Sequence, residues 1–101
     1  MAKPQNQLAE RTKTEIAKPR NYVVIVHDDD ITSMEFVVYV LQAIFDMSQE
    51  QSETLMMRIH DEGTGIAGSF SYEIAEQKIY EGEALARANN FPLKITMEVD
   101  A

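Results

Sequence analysis

This sequence predicts a small α/β sandwich: a three-stranded sheet covered by three helices, in the order β-α-α-β-α-β. Three observations carry that reading. A β-branched run, Tyr22-Val23-Val24-Ile25-Val26, opens the body of the chain. An alternating run from Leu93 to Val99 closes it. Between them lie three segments with helical spacing, separated once by a short stretch containing glycines.

Each element has its own local cause. The first run reads as a strand with both faces largely covered, because apolar residues succeed one another without alternation. His27-Asp28-Asp29-Asp30-Ile31 is too acidic for a strand interior and suits a turn. Thr32-Ser33-Met34-Glu35 fits a capping box, with Thr32 as N-cap and Glu35 answering it. Val37, Val40, Leu41 and Ile44 then mark one face of a first helix.

Ser48-Gln49-Glu50-Gln51 opens a second helix in the same way. It brings Ser52, Leu55, Met56, Ile59 and His60 near one face, and Gly63 is expected to end it in the left-handed conformation. Residues 65–70 form a short strand interrupted by glycine. Ser71 caps a third helix through about Asn89, with Ala75, Ile79, Gly82 and Ala86 inside, small enough for close packing on a sheet. After the turn Asn89-Asn90-Phe91-Pro92, the residues Leu93, Ile95, Met97 and Val99 alternate with Lys94, Thr96 and Glu98.

Charge divides the 101 residues in two. Residues 1–20 carry five basic and two acidic side chains, net +3, whereas residues 21–101 carry four and fifteen, net -11. The first segment is polar, holds Pro4 and Pro19, and has only Leu8 and Ile16 as bulky apolar residues. It buries too little to offset its ordering entropy and is expected to be a mobile extension, leaving residues 21–101 as the folded domain. The overall acidity weighs against nucleic acid as a partner, since phosphate binding needs clustered lysine and arginine. Cysteine is absent, which excludes disulfides, thiolate metal sites and a cysteine nucleophile. No apolar run approaches the ~20 residues of a membrane span, and a cytoplasmic protein is expected.

The concentrated chemical signal is His27-Asp28-Asp29-Asp30, with His60 apart from it. Adjacent carboxylates disfavour one another's ionisation, so a cation relieves them. A metal ion, an ammonium group or a basic partner each qualifies. The metal reading takes His27, Asp28, Asp30 and His60 as ligands of a divalent ion in a hydrolase. Against it, the chain has only two histidines. No serine sits in a nucleophile elbow, and Gly63, Gly65 and Gly68 are not followed by the lysine of a phosphate loop. No catalytic residue and no cofactor is therefore expected. Six methionines form a second signal, and Met34 and Met56 fall near the polar candidates. Flexible thioethers suit a hollow that accepts several apolar shapes. Carboxylates beside such a hollow match the free α-amine of a peptide beginning with Leu, Phe, Tyr or Trp.

The run Val26-His27-Asp28-Asp29-Asp30-Ile31-Thr32-Ser33-Met34-Glu35-Phe36-Val37 resembles the signature of the ClpS family of bacterial N-degron adaptors, usually V-N-D-D-Y-T-P-M-E-F-V. The resemblance continues through Leu55-Met56, Ile59-His60, Phe70-Ser71-Tyr72-Glu73 and Ala75-Glu76-Gln77-Lys78 to Pro92-Leu93. It implies a small α/β body with an N-terminal extension. It also implies a non-catalytic adaptor that hands N-degron substrates to a ClpA- or ClpC-type AAA+ unfoldase of the Clp protease. By the same resemblance, Asp28, Asp29, Asp30 and His60 hold the substrate's α-ammonium and first peptide bond. Ile31, Thr32, Met34, Val37, Met56, Ile59 and Leu93 line the side-chain pocket, with Met34 as a gate against β-branched first residues. Glu73 and Lys78 fall where the family contacts the unfoldase. Asp28, Ile31 and Ser33 stand where the family usually has Asn, Tyr and Pro.

Overall fold

A computed structural model describes residues 20–101. The elements are β1 (Asn21–His27), α1 (Met34–Ala43), α2 (Gln49–Glu62), β2 (Thr64–Ser71), α3 (Tyr72–Ala88) and β3 (Lys94–Val99). Their order is the one expected. The mobile extension expected over residues 1–20 lies, but for Arg20, outside the described residues. No helix among the described residues is long and apolar enough to cross a membrane.

The sheet has the order β2-β1-β3, and both neighbours of the central strand run antiparallel to it. β1 is covered on one face rather than both. Val24 and Val26 are fully buried, whereas Val23 and Ile25 on the opposite face are only half-buried. A single helical layer explains this. The core joins Val24, Val26 and Ile95 of the sheet to Val40 and Leu41 of α1, Met56 and Ile59 of α2, and Ala75 and Ala86 of α3. In β3 the alternation fades: Ile95 is buried, Met97 half-buried and Val99 exposed.

α1 starts one residue later than a cap at Thr32 implies. Its N-cap is Ser33, whose Oγ accepts from the Phe36 N–H at 3.1 Å. The Thr32 hydroxyl instead donates to the Asp29 carboxylate at 2.8 Å. A charged oxygen is the better acceptor, and Thr32 turns back to it. The α2 capping box forms in both directions between Ser48 and Gln51. Gly63 ends α2 at φ 91°, as a left-handed residue should. Ser52 is fully buried and satisfied, its hydroxyl donating to the Gln49 carbonyl at 2.8 Å.

α3 lies close on the sheet through Gly82. A Cβ there would stand 2.7 Å from Ile95 Cδ1, so a larger residue would require the end of the Ile95 side chain to shift. The Ile95 N–H in turn donates to the Glu83 carboxylate of α3 at 2.9 Å.

Candidate functional site

The acidic turn is shaped by its middle member. Asp29 Oδ1 accepts from the N–H groups of Ile31 at 2.8 Å and Thr32 at 2.6 Å, while Oδ2 takes the Thr32 hydroxyl. Burial pushes the Asp29 carboxyl up, but the bonds from Thr32 and Ile31 overcome it and hold the group below its ordinary value. Asp28 and Asp30 flank this clamp, and both are exposed.

The turn is fastened to α2. The Asp28 N–H donates to the Gly63 carbonyl at 2.9 Å. That bond sets the exit of β1 beside the end of α2, in whose last turn the exposed His60 stands. The left-handed Gly63 is what directs the chain there, so its cap serves the site as well as the helix. Three carboxylates and an imidazole thus share one end of the molecule.

His27 does not join them. Its Nε2 shares a hydrogen bond of 2.8 Å with Thr96 Oγ1, across the β1–β3 pair. Strand alternation puts it on the sheet's outer face. The described residues contain no group of three or more His, Asp or Glu able to hold a metal ion. The metal reading of His27, Asp28, Asp30 and His60 therefore has no geometric support.

Between α1 and α2 opens a hollow of about 590 Å³. Met34 and Met56, both expected from the sequence, form part of its wall. Of the other expected pocket residues, Val37, Ile59 and Leu93 are buried, Thr32 is half-buried, and Ile31 is 67% exposed. Glu35, Val38, Gln49, Glu53 and Met57 complete the wall, and sequence reasoning missed them. Periodicity was the available signal. Val38 follows Met34 by four residues, and Gln49, Glu53 and Met57 recur every fourth residue along α2. The far end is tied by a relay: Gln42 of α1 donates to Gln49 at 2.8 Å, and Gln49 donates to Glu53.

Glu73 and Lys78 do not form one patch. They lie five residues apart, about 140° round the helix. Glu73 is exposed and borders a shallow hollow with Glu76, Gln77 and Tyr80. Lys78 is half-buried; its Nζ donates to the Ile44 carbonyl at 2.8 Å and sits 5.3 Å from the centre of the Phe70 ring.

Comparison with known proteins bears on this arrangement. Residues 17–96 match the family model described as ATP-dependent Clp protease adaptor protein ClpS. The ATP-dependent Clp protease adapter protein ClpS of Desulfatibacillum aliphaticivorans is 45% identical over 86 residues, 85% of this chain and 81% of that one. The protein of the same name from Desulforapulum autotrophicum is 41% identical over 102 residues, covering 97% of this chain and 98% of its own.

The chain belongs to the ClpS family.

ClpS proteins are adaptors of the Clp protease, and the acidic turn, His60 and the methionine hollow lie inside the matched region. Among solved structures, Agrobacterium tumefaciens ClpS2 bound to L-phenylalaninamide superimposes with a TM-score of 0.80 at 36% identity. That match covers 82% of this chain and all of the other. The ClpS resemblance seen in the sequence and the βααβαβ fold are thus both found.

Proposed function

We propose that this ClpS-family chain recognises N-degron substrates by their first residue, Leu, Phe, Tyr or Trp, and delivers them to a ClpA- or ClpC-type AAA+ unfoldase in the cytoplasm, catalysing nothing itself. The observation that supports this reading is the Asp28–Gly63 hydrogen bond, which fastens the acidic turn to the end of α2, the helix that carries His60 and, with Met56, part of the wall of the methionine hollow. L-phenylalaninamide, the ligand of the related ClpS2, combines an α-amine with a bulky apolar side chain. That pairing matches the two halves of the site.

The chemistry divides by residue. Asp28 and Asp30 offer exposed carboxylates to the α-ammonium, and His60 accepts from it or donates to the first carbonyl, as its tautomer allows. Asp29 holds the turn in place while adding its charge. The first side chain passes between Met34 and Met56 toward Val37, Ile59 and Leu93, with Thr32 and Ile31 at the rim. Glu73 presents a charged face of α3 to the unfoldase, and Lys78 supports that surface from beneath.

The test is calorimetry with a Phe-initiated peptide, its N-acetylated form and divalent ions. Acetylation removes the one cation that relieves the turn, so most of the affinity should go, at a cost of roughly 2–5 kcal/mol. Equal affinity for the two peptides would reject the ammonium site, and heat released with a divalent ion alone would favour a metal centre.

A further inference from the structure

We propose that Met34 and Met57 are sites of reversible oxidation by peroxides, and that the sulfoxide formed at Met34 switches off recognition of a substrate's first side chain, a reading that rests on the pocket proposed above. Exposure picks out these two. Met34 is 39% exposed and Met57 48%, whereas Met56 is 3% exposed and Met47 and Met97 are half-buried against the core. Met56 and Met57 differ because successive residues turn about 100° round a helix, which sends one into the core and its neighbour to the open side of α2. Met34, Met56 and Met57 all line one hollow. A peroxide molecule entering it meets two exposed methionines and a shielded one.

The step needs only the peroxide. A sulfur lone pair attacks one peroxide oxygen, the S–O bond forms as the O–O bond breaks, and the proton of the transferred oxygen leaves with the departing hydroxide as water. Sulfur loses two electrons and the peroxide gains them. The product is polar where the thioether was apolar. Its oxygen accepts hydrogen bonds, and the polar side chains of that wall are poor donors. Glu35 and Glu53 are carboxylates, acceptors themselves, and the Gln49 amide already donates to Glu53. An apolar first side chain passing Met34 strips water from the sulfoxide oxygen without replacing it, and that desolvation opposes binding. Met57 lies outside the first-residue pocket, so its oxidation does not bear on that side chain.

The experiment treats the full chain with hydrogen peroxide and follows each methionine by peptide mass mapping. Fluorescence anisotropy gives the Kd for a Phe-initiated peptide free of Met, Cys and Trp. Met34 and Met57 should gain oxygen well before Met56, and Kd should rise roughly tenfold in step with Met34. The two methionine sulfoxide reductases, one for each epimer, should restore it. In Met34→Leu, whatever its starting Kd, treated and untreated values should agree. In Met57→Leu the rise should persist. Oxidation of Met56 as fast as Met34, a Kd that stays put once Met34 is oxidised, or an equal rise in Met34→Leu would each overturn the inference. So would loss of the folded circular dichroism signal, since binding would then fail for want of a fold. An untreated chain that does not bind the peptide would instead reject the pocket reading, a result distinct from binding that peroxide leaves unchanged.

Discussion

The Lys78 ammonium donates to the Ile44 carbonyl at 2.8 Å, so a side chain of α3 closes the C-terminal end of α1. Helix ends leave carbonyls without intrahelical partners, and a cation there also meets the negative end of the helix dipole. Phe45 and Phe70 flank the same ammonium at 5.7 and 5.3 Å from their ring centres. One lysine therefore joins α1, β2 and α3.

Replacing that ammonium should be felt in stability. Lys78→Met keeps the apolar stem and removes the donor and the cation. A loss of roughly 1–3 kcal/mol is expected, measured by urea unfolding. An unchanged midpoint would mean that water replaces the ammonium at Ile44 without loss.

The acidic turn should set an acid limit on the fold. The Asp29 carboxyl lies below its ordinary value in the folded state. A depressed carboxylate contributes stability that is complete above the unfolded value of about 3.9 and is lost as pH falls through the lower folded value. Asp29→Asn should therefore cost about 1–2 kcal/mol at pH 7. The gap between variant and parent should narrow below pH 4, as followed by thermal unfolding across pH. A constant gap would show that the charge of Asp29 is immaterial.

Met34 should act as the gate for the first residue. It is 39% exposed and stands on the wall of the hollow, so shortening it alters access more than the core. Met34→Ala should admit Val- and Ile-initiated peptides, improving their binding by roughly tenfold. Val-initiated peptides that bind the unaltered chain as well as Leu-initiated ones would remove the gate assignment.

Recognition and delivery should separate at the N-terminal segment. A chain beginning at Pro19 retains every element from β1 to β3. It should fold and bind Phe-initiated peptides about as tightly as the full chain. The segment it lacks is basic and poor in bulky apolar residues, the kind of chain an unfoldase can engage without first unfolding it. The shortened chain should therefore fail to promote degradation of an N-degron substrate by purified unfoldase and peptidase. Unchanged degradation would assign delivery to the folded domain alone.

Local signals in the sequence were reliable where one segment decides its own shape. The Ser48–Gln51 capping box and the left-handed Gly63 are cases in which donors, acceptors and backbone freedom lie within a few residues. Thr32 departed from expectation because Asp29, three residues upstream, competes for its hydroxyl. Lys78 could not be placed in advance, since its acceptor is 34 residues away. For the site, the acidic turn, His60, Met34 and Met56 were readable as residue types. The Glu53 and Met57 wall was present in the helical period but needs the α1–α2 pairing before it encloses anything.

The Glu83–Ile95 hydrogen bond bears on how the protein behaves in company. β3 is an outer strand, and unpaired amides along such a strand invite a foreign chain to add itself to the sheet. Glu83 occupies one of those amides and sets a negative charge beside the row. Any extended polypeptide that meets that edge brings amides and carbonyls of its own to pair. A carboxylate fixed across the margin of the sheet makes this edge a poor template for such a chain, and favours the adaptor remaining separate from the chains around it.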